Sequence, residues 1–476
     1  TPKDAMQIAK VSGQTTAPSS VRGSSPTSSD VGGESISDRT DALVRGFTLI
    51  LRHHGASDEI QTLLCKQIRA YLNTSDSETV WLKRAKHCSS YPLAKYLRNE
   101  LPAAPDKVFE PSGALRRWMK TRLICFNRKN SHLWYSWFQV KRCALPASDD
   151  FVQDTYNNHL AALTKDDCGN EETIEDIFDD STFIGVLDKV RESITKSFQG
   201  SDHFLKKSAS NSACFENTRS RGGQHGELLK LIGKRVDQNE SVLVSMQFYP
   251  VLYRNRRLCV NQVVEVRDTP GDYWEDLLFH RDLIKLDKPA SCTIQAVLEP
   301  FKVRVISKGE ALPYYTMRPL QKAMHSAMRR MPCFRLIGRP FCPTDMVDLK
   351  AKADASWQWF SIDYSAATDN LSWRYSGRIL DYVISGLPWA EQQLAKKVLG
   401  PHRLYYPLEG GHREYRGTQR SGQLMGSILS FPILCLANLG VYLTTMTAEQ
   451  IDWSDSERLN HVLINGDDML YAAPEE

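Results

Sequence analysis

Apolar and polar positions recur with two different periods along this chain, and the change of period marks out its elements. Near the N-terminus, ALVRGFTLILRHHG and EIQTLLCKQIRAYL carry apolar residues at three-to-four spacing and predict amphipathic helices. Pro313 to Met331 is mostly helical by the same pattern. Val242 to Tyr253 reads as a strand. So does Glu299 to Gly309, where Lys302, Arg304 and Ser307 alternate with Val303, Val305 and Ile306. Trp357 to Asp363 predicts a strand with Trp359, Ser361 and Asp363 on one face, because strand side chains alternate. A helical pattern follows from Leu371, for which Asn370 or Ser372 is the candidate cap. His461 to Tyr471 reads as strand, tight turn, strand, with apolar runs either side of Gly466-Asp467. The longest apolar run, Ile428 to Leu443, is broken by Ser430, Pro432 and Asn438. It falls short of the ~18 to 20 residues that a spanning helix needs, so it predicts a buried core helix and no membrane segment. Residues 1–40 show no period. They are rich in Ser, Thr, Gly and Pro and predict a disordered tail.

Composition adds bounds. At 476 residues the chain holds two to four domains or one large elaborated one. A hydrophobic fraction of 41% with 24% charged residues is that of an ordinary soluble globular protein. The net charge of +4 is mild, so local clusters matter more than the total. Eleven cysteines occur singly, with no Cys-x-x-Cys pair. An odd number without zinc spacing reads as free thiols in a reducing compartment. No secretory signal is visible. The chain starts at Thr1 and stops eight residues after Asp468, which reads as a fragment.

Candidate chemistry sits in five places. Arg116, Arg117, Lys120, Arg122, Arg128, Lys129, Lys141 and Arg142 fall between residues 114 and 142 without one Asp or Glu. Trp118, Phe126, Trp134, Tyr135, Trp137 and Phe138 are interleaved with them. Cations for phosphates and rings for bases make a single-strand nucleic-acid surface; a solvated basic helix with core aromatics is an equal reading. Asp149 to Glu192 is acidic and points away from phosphate. Ser208 to Gly226 is a loop whose Arg219 and Arg221 serve phosphates or merely solubilise, and Arg254, Arg256 and Arg257 add a basic spot. Lys302, Arg304 and Lys308 offer cations on one strand, suited to a triphosphate but equally to solvent. Asp363 leaves a strand end, and Asp467 and Asp468 share a hairpin tip. Adjacent carboxylates repel, and a divalent cation relieves them; alone, Asp363 reads as a turn or capping carboxylate. Between these aspartates, Gly422 and Gly426 open a loop that runs into an apolar helix. Ser430 and Asn438, eight residues apart, lie roughly on one face of that helix and require partners. A ribose hydroxyl is one candidate and a core carbonyl the commoner one.

Taken in order, these stretches resemble the motifs of viral RNA-dependent RNA polymerases. KVRVISKG looks like motif F, DYSAATD like motif A, SGQLMGSILSFP with Asn438 like motif B, and NGDD like motif C. The wording is similar to the narnavirus and ourmia-like (botourmiavirus) group, with RNA phage replicases as distant relatives. SHLWYSWFQVKRCALP and SNSACFENTRSRGGQ also look like upstream sequence of ourmia-like mycovirus polymerases. The resemblance covers about residues 110–476. It implies an α+β right-hand polymerase with palm and fingers and the thumb largely missing. The implied segments are a tail (1–40), a mainly helical N-terminal region and start of the fingers (41–205), fingers with motif F (206–350) and a palm (351–476).

By position, the resemblance implies that Asp363 and Asp467 hold catalytic Mg2+, with Mn2+ as the substitute, and that Asp468 assists. Arg304 and Lys308, with Lys302, meet the incoming triphosphate. Asp369, Ser430 and Asn438 are candidates for sensing the ribose 2′-hydroxyl. The implied partners are template and product RNA and nucleoside triphosphates, in the host cytoplasm, copying a positive-strand genome; protein partners are not implied. Two departures stand out. Motif A has five residues between its aspartates where many polymerases have four, and Asn438 lies eight residues past Ser430 where four is common and Leu434 stands. Motif D with its Lys, motif E and a thumb do not follow. A reverse transcriptase is disfavoured, because its aromatic steric gate is replaced here by a second acid. A non-catalytic RNA-binding protein on a decayed palm is the alternative from another class, and the intact aspartates speak against it. No G-x-x-x-x-G-K-[ST] occurs, so a fused P-loop helicase is not expected.

Overall fold

A computed structural model describes residues 35–96, 105–124, 130–167, 169–199, 209–236, 244–253, 256–266, 284–354, 356–364, 366–448 and 455–473. Most of the expected tail, and Phe126, Arg128, Lys129 and Arg254, lie outside these residues. The chain divides into two compact units. One comprises Thr1–Asn158 with Ala296–Val305, the other His159–Gln295 with Ile306–Glu476. These units cut across the segments drawn from the motifs.

The first unit is helical. Its helices α1 (Ile36–His53), α2 (Asp58–Leu72), α3 (Glu78–Tyr96) and α4 (Ser131–Gln139) follow the apolar periodicity. Helix α1 begins inside the stretch assigned to the tail, because Ser35 and Asp38 form a reciprocal capping box that satisfies two first-turn amides. Leu43, Phe47 and Leu51 of α1 and Leu64, Ile68 and Leu72 of α2 recur every three to four residues into one core. Trp134 and Trp137, one turn apart on α4, belong to that core. The indole N–H of Trp137 donates to the Cys88 carbonyl at 2.9 Å, and that of Trp134 to the Leu123 carbonyl. Trp118 and Phe138 pack against the same core, while Tyr135 is exposed. The core reading therefore holds for these tryptophans. Arg116, Arg117, Lys120, Arg122, Lys141 and Arg142 face solvent on the other side of their elements.

The second unit holds helices α5 (Glu171–Asp179), α6 (Ser181–Gln199), α7 (Arg318–Met328), α8 (Trp373–Ile384) and α9 (Ser430–Ala448). Helix α9 is the predicted apolar helix and is buried along most of its length. Val186 and Val190 of α6, Leu320 and Met324 of α7, Ile379 and Val383 of α8, and Ile433 and Leu436 of α9 meet in a single core. Arg458 crosses this core to a buried carboxylate, Asp180, at 2.6 Å. No helix among the described residues is long and apolar enough to cross a membrane.

Among the described residues, nine strands form three sheets: β1 (Val244–Tyr253), β2 (Arg256–Val266), β3 (Ala290–Glu299), β4 (Lys302–Gly309), β5 (Gln358–Ile362), β6 (His402–Pro407), β7 (Arg413–Thr418), β8 (Val462–Asn465) and β9 (Asp468–Ala473). β1 and β2 pair antiparallel. The second sheet runs β4-β3-β6-β7, with β3 parallel to β6 and β7 antiparallel to it. The third runs β5-β9-β8, antiparallel throughout. Its inner residues Val462, Ile464, Met469 and Ala473 join the helical core, with Phe360 and Ile362 packed against it. Phe360 and Tyr471 are cross-strand partners whose rings stack 5.2 Å apart, which fixes the register of β5 on β9. The mixture is α+β.

Candidate active site

The register of the third sheet builds the site. Asn465 pairs with Asp468, leaving Gly466-Asp467 as a two-residue hairpin turn. Gly466 has φ +75°, the left-handed value that the first central position of a type II′ turn requires. The turn therefore carries Asp467, while Asp468 is the first residue of β9. On the neighbouring strand the last registered pair is Ile362 with Met469. One step further sets Asp363 beside Asp468. Burial raises the Asp468 carboxyl above its ordinary value, and the charges of Asp467 and Asp363 raise it further. Three carboxylates thus share one edge of the sheet, and the like-charge repulsion among them is of the kind that a divalent cation relieves.

The side chains of Asp363, Asp467 and Asp468 offer oxygen donors, which suit a hard divalent cation. Among the described residues no group of three or more His, Cys, Asp or Glu side chains is placed so that it could hold a metal ion by itself. Magnesium is commonly held by one or two carboxylates together with waters and substrate phosphates, so an open acidic edge is the arrangement it takes. Asp363, Asp467 and Asp468 fit that requirement.

Helix α9 fixes the turn from behind. Asn438, only 4% exposed, donates its amide N–H to the Gly466 carbonyl at 3.2 Å. Its amide oxygen accepts the Tyr364 hydroxyl at 3.1 Å. One turn earlier, the Cys435 sulfur accepts the Gly466 N–H at 3.1 Å. A single buried amide thus ties the residue after Asp363 to the residue before Asp467. Both polar ends of Asn438 are engaged by protein. Ser430 is also buried and donates to Gln423 Oε1 at 2.8 Å.

The glycine loop is seated by close backbone approaches. Gly422 has φ +70°, and a Cβ there would fall 2.5 Å from the Asp369 carbonyl. A Cβ on Gly426 would fall 2.1 Å from the Ser307 carbonyl. Gly422 N–H donates to Leu371 O at 3.1 Å and Gln423 N–H to Thr368 O at 2.6 Å. The loop is pressed between the turn carrying Asp369 and the strand carrying Lys308. Asp369 is half-buried, and burial pushes its carboxyl up to about 6. Burial also lowers the Lys308 ammonium. The Gln423 amide nitrogen and the Ser307 hydroxyl are buried without a hydrogen-bond partner among the described residues, places where a bound group or water belongs.

The chain is 31% identical over 410 residues to the RNA-dependent RNA polymerase of Ourmia melon virus (isolate Melon/Iran/VE9), a match taking in 79% of this chain and 44% of that polymerase. The chain belongs with the ourmia-like viral RNA-dependent RNA polymerases. No family model matches it. It spans less than half the length of the polymerase it resembles.

In this ourmia-like chain the second unit brings together Asp363, Asp467, Asp468, Asp369, Gly422, Gly426, Ser430, Asn438 and Lys308. Lys302 and Arg304 belong to the first unit, as do Arg116, Arg117, Lys120, Lys141 and Arg142. Arg304 is held by Glu299 at 2.9 Å, and Lys302 is exposed. Tyr364, Gln423 and Cys435 were missed by the sequence reading. Only the position of Tyr364 directly after Asp363 could have drawn notice.

Proposed function

We propose that the chain is the palm and fingers of an RNA-directed RNA polymerase that copies a positive-strand viral genome in the host cytoplasm. The observation that carries the reading is the shared edge of Asp363, Asp467 and Asp468, held by a II′ turn and the Asn438 bridge. Asp363 and Asp467 hold the cation, and Asp468 adds charge to the same edge. When bound, Mg2+ or Mn2+ supplies Lewis-acid activation of a 3′-hydroxyl and neutralises the leaving pyrophosphate. Lys308, Arg304 and Lys302 receive the triphosphate. Asp369, at the foot of the glycine loop, faces the ribose hydroxyls as an acceptor when ionised and as a donor when protonated. Helix α9 keeps the two aspartate-bearing segments in register, so the acidic edge needs no rearrangement before substrate arrives.

The test is template-directed incorporation of labelled nucleotide in the presence of Mg2+. The expected result is a template-copied RNA whose formation is abolished by chelator and by Asp467→Ala, while RNA binding persists. A product formed at undiminished rate by Asp467→Ala, or none at all from the wild-type chain, overturns the reading.

A further inference from the structure

The β6–β7 ribbon of the second unit presents an outward face that the acidic edge does not use. Tyr405 and Tyr415 are cross-strand partners with ring centroids 5.7 Å apart. Tyr415 is 45% exposed. The Arg403 guanidinium lies 5.0 Å from the centroid of Tyr415 and 5.7 Å from that of Tyr405. Arg413 lies 3.8 Å over Phe215 and 5.8 Å from the centroid of Tyr405. Alternation along the strands turns the buried His402, Leu404 and Tyr406 to the other face, and Glu414 is the register partner of Tyr406.

The two arginines of this face form no ion pair among the described residues, although Arg403 also borders a cavity that Glu216, Glu227 and Glu310 line. Three other surface arginines of the same unit meet carboxylates: Arg378 meets Glu175 at 2.6 Å, Arg374 meets Glu171 at 3.6 Å and Arg420 meets Asp166 at 3.3 Å. Arg403 and Arg413 have no carboxylate partner among the described residues. Arg413 donates instead to Phe215 O and to Thr293 Oγ1, which holds its plane in place. Of the five N–H donors of a guanidinium, most remain free to meet an anion.

We propose that this face is a stacking platform for single-stranded RNA. Bases stack on Tyr415 and on the flat guanidinium surfaces, and Arg403 and Arg413 meet the phosphates between them. An acidic peptide would use the cations and leave the rings idle; RNA uses both. The choice of RNA as occupant rests on the polymerase reading.

The experiment titrates the 476-residue chain with a labelled oligouridylate, and separately with a 2-aminopurine oligonucleotide whose fluorescence is quenched on stacking. Tyr415→Ala is expected to weaken binding about tenfold and to lose the quenching, whereas Tyr415→Phe, which keeps the ring, retains both. Arg403→Gln is expected to weaken binding and flatten its salt dependence by a slope of about 0.7. Equal binding by wild type and Tyr415→Ala, both with unchanged thermal midpoints, overturns the proposal. So does an equal loss toward inorganic polyphosphate, which marks a plain anion patch. Template copying by wild type and Asp467→Ala is measured alongside. Failed copying with Tyr415-dependent binding removes the polymerase reading and leaves the platform; intact copying with Tyr415-independent binding does the reverse.

Discussion

Replacing Asn438 by Leu separates a structural bridge from a sugar sensor. The substitution keeps the volume of the side chain and removes two hydrogen bonds, to the Gly466 carbonyl at 3.2 Å and from the Tyr364 hydroxyl at 3.1 Å. The Tyr364 side is half-open to solvent, so its hydroxyl finds water and the loss there is about 0.5–1 kcal/mol. Gly466 is buried, and its carbonyl, stranded without a donor, costs about 1–3 kcal/mol. The expected destabilisation is therefore about 1.5–4 kcal/mol, read as a lower urea midpoint at unchanged slope. Tyr364→Phe is expected to cost about 0.5–1 kcal/mol, and the double variant less than the sum, since both changes delete one shared bond. A Leu variant within about 0.5 kcal/mol of wild type would refute the bridge. Unchanged stability with altered preference for ribonucleotides over deoxyribonucleotides would instead make Asn438 a sugar contact.

Three further expectations concern other parts of the second unit and the triphosphate cations. Asp369, pushed up to about 6, holds its proton more tightly folded than unfolded, so the folded state loses stability as pH rises from the ordinary carboxylate value to about 6 and is level above that. Asp369→Asn should abolish this fall and stabilise the chain at neutral pH by up to about 3 kcal/mol; a pH profile unchanged by the substitution contradicts the assignment. Asp180→Ala removes the 2.6 Å ion pair of the buried Arg458 guanidinium, which keeps Thr182 and the Leu443 carbonyl as partners, and should cost about 3–5 kcal/mol in denaturant unfolding, against less than 1 if the pair is idle. Neutralising Arg304 and Lys308 together should raise KM for nucleotide in the copying assay with little effect on RNA affinity, and unchanged kinetics would remove them from the triphosphate site.

Much of the acidic edge was legible in the sequence because local chemistry determines it. Gly466-Asp467 between apolar runs specifies a hairpin, and alternation from Trp359 places Asp363 at a strand end. The core helices were legible because a three-to-four period states which face is buried. What a period does not state is the partner. Ser430 and Asn438 were correctly required to have partners, but Gln423, Tyr364 and Gly466 are set by tertiary contact alone. The interleaved cations and rings of residues 114–142 illustrate the same gap. On a helix, cations and rings adjacent in sequence point to different sides, so Trp134 and Trp137 entered the core while Arg116, Lys120 and Lys141 stayed in solvent. The β6–β7 ribbon went unread because its short alternating segments, with a bulge at Leu404/Tyr405, give little periodic signal.

If Asp363 and Asp467 jointly hold a divalent cation, as proposed, the chain binds Mn2+ independently of turnover. Electron paramagnetic resonance titration of wild type, Asp363→Asn and Asp467→Asn at equal protein concentration reads free Mn2+ in each sample. Saturable binding by wild type is expected to be lost, or weakened at least about tenfold, in both variants with unchanged circular dichroism. Wild-type Mn2+ affinity in either Asn variant would contradict joint binding.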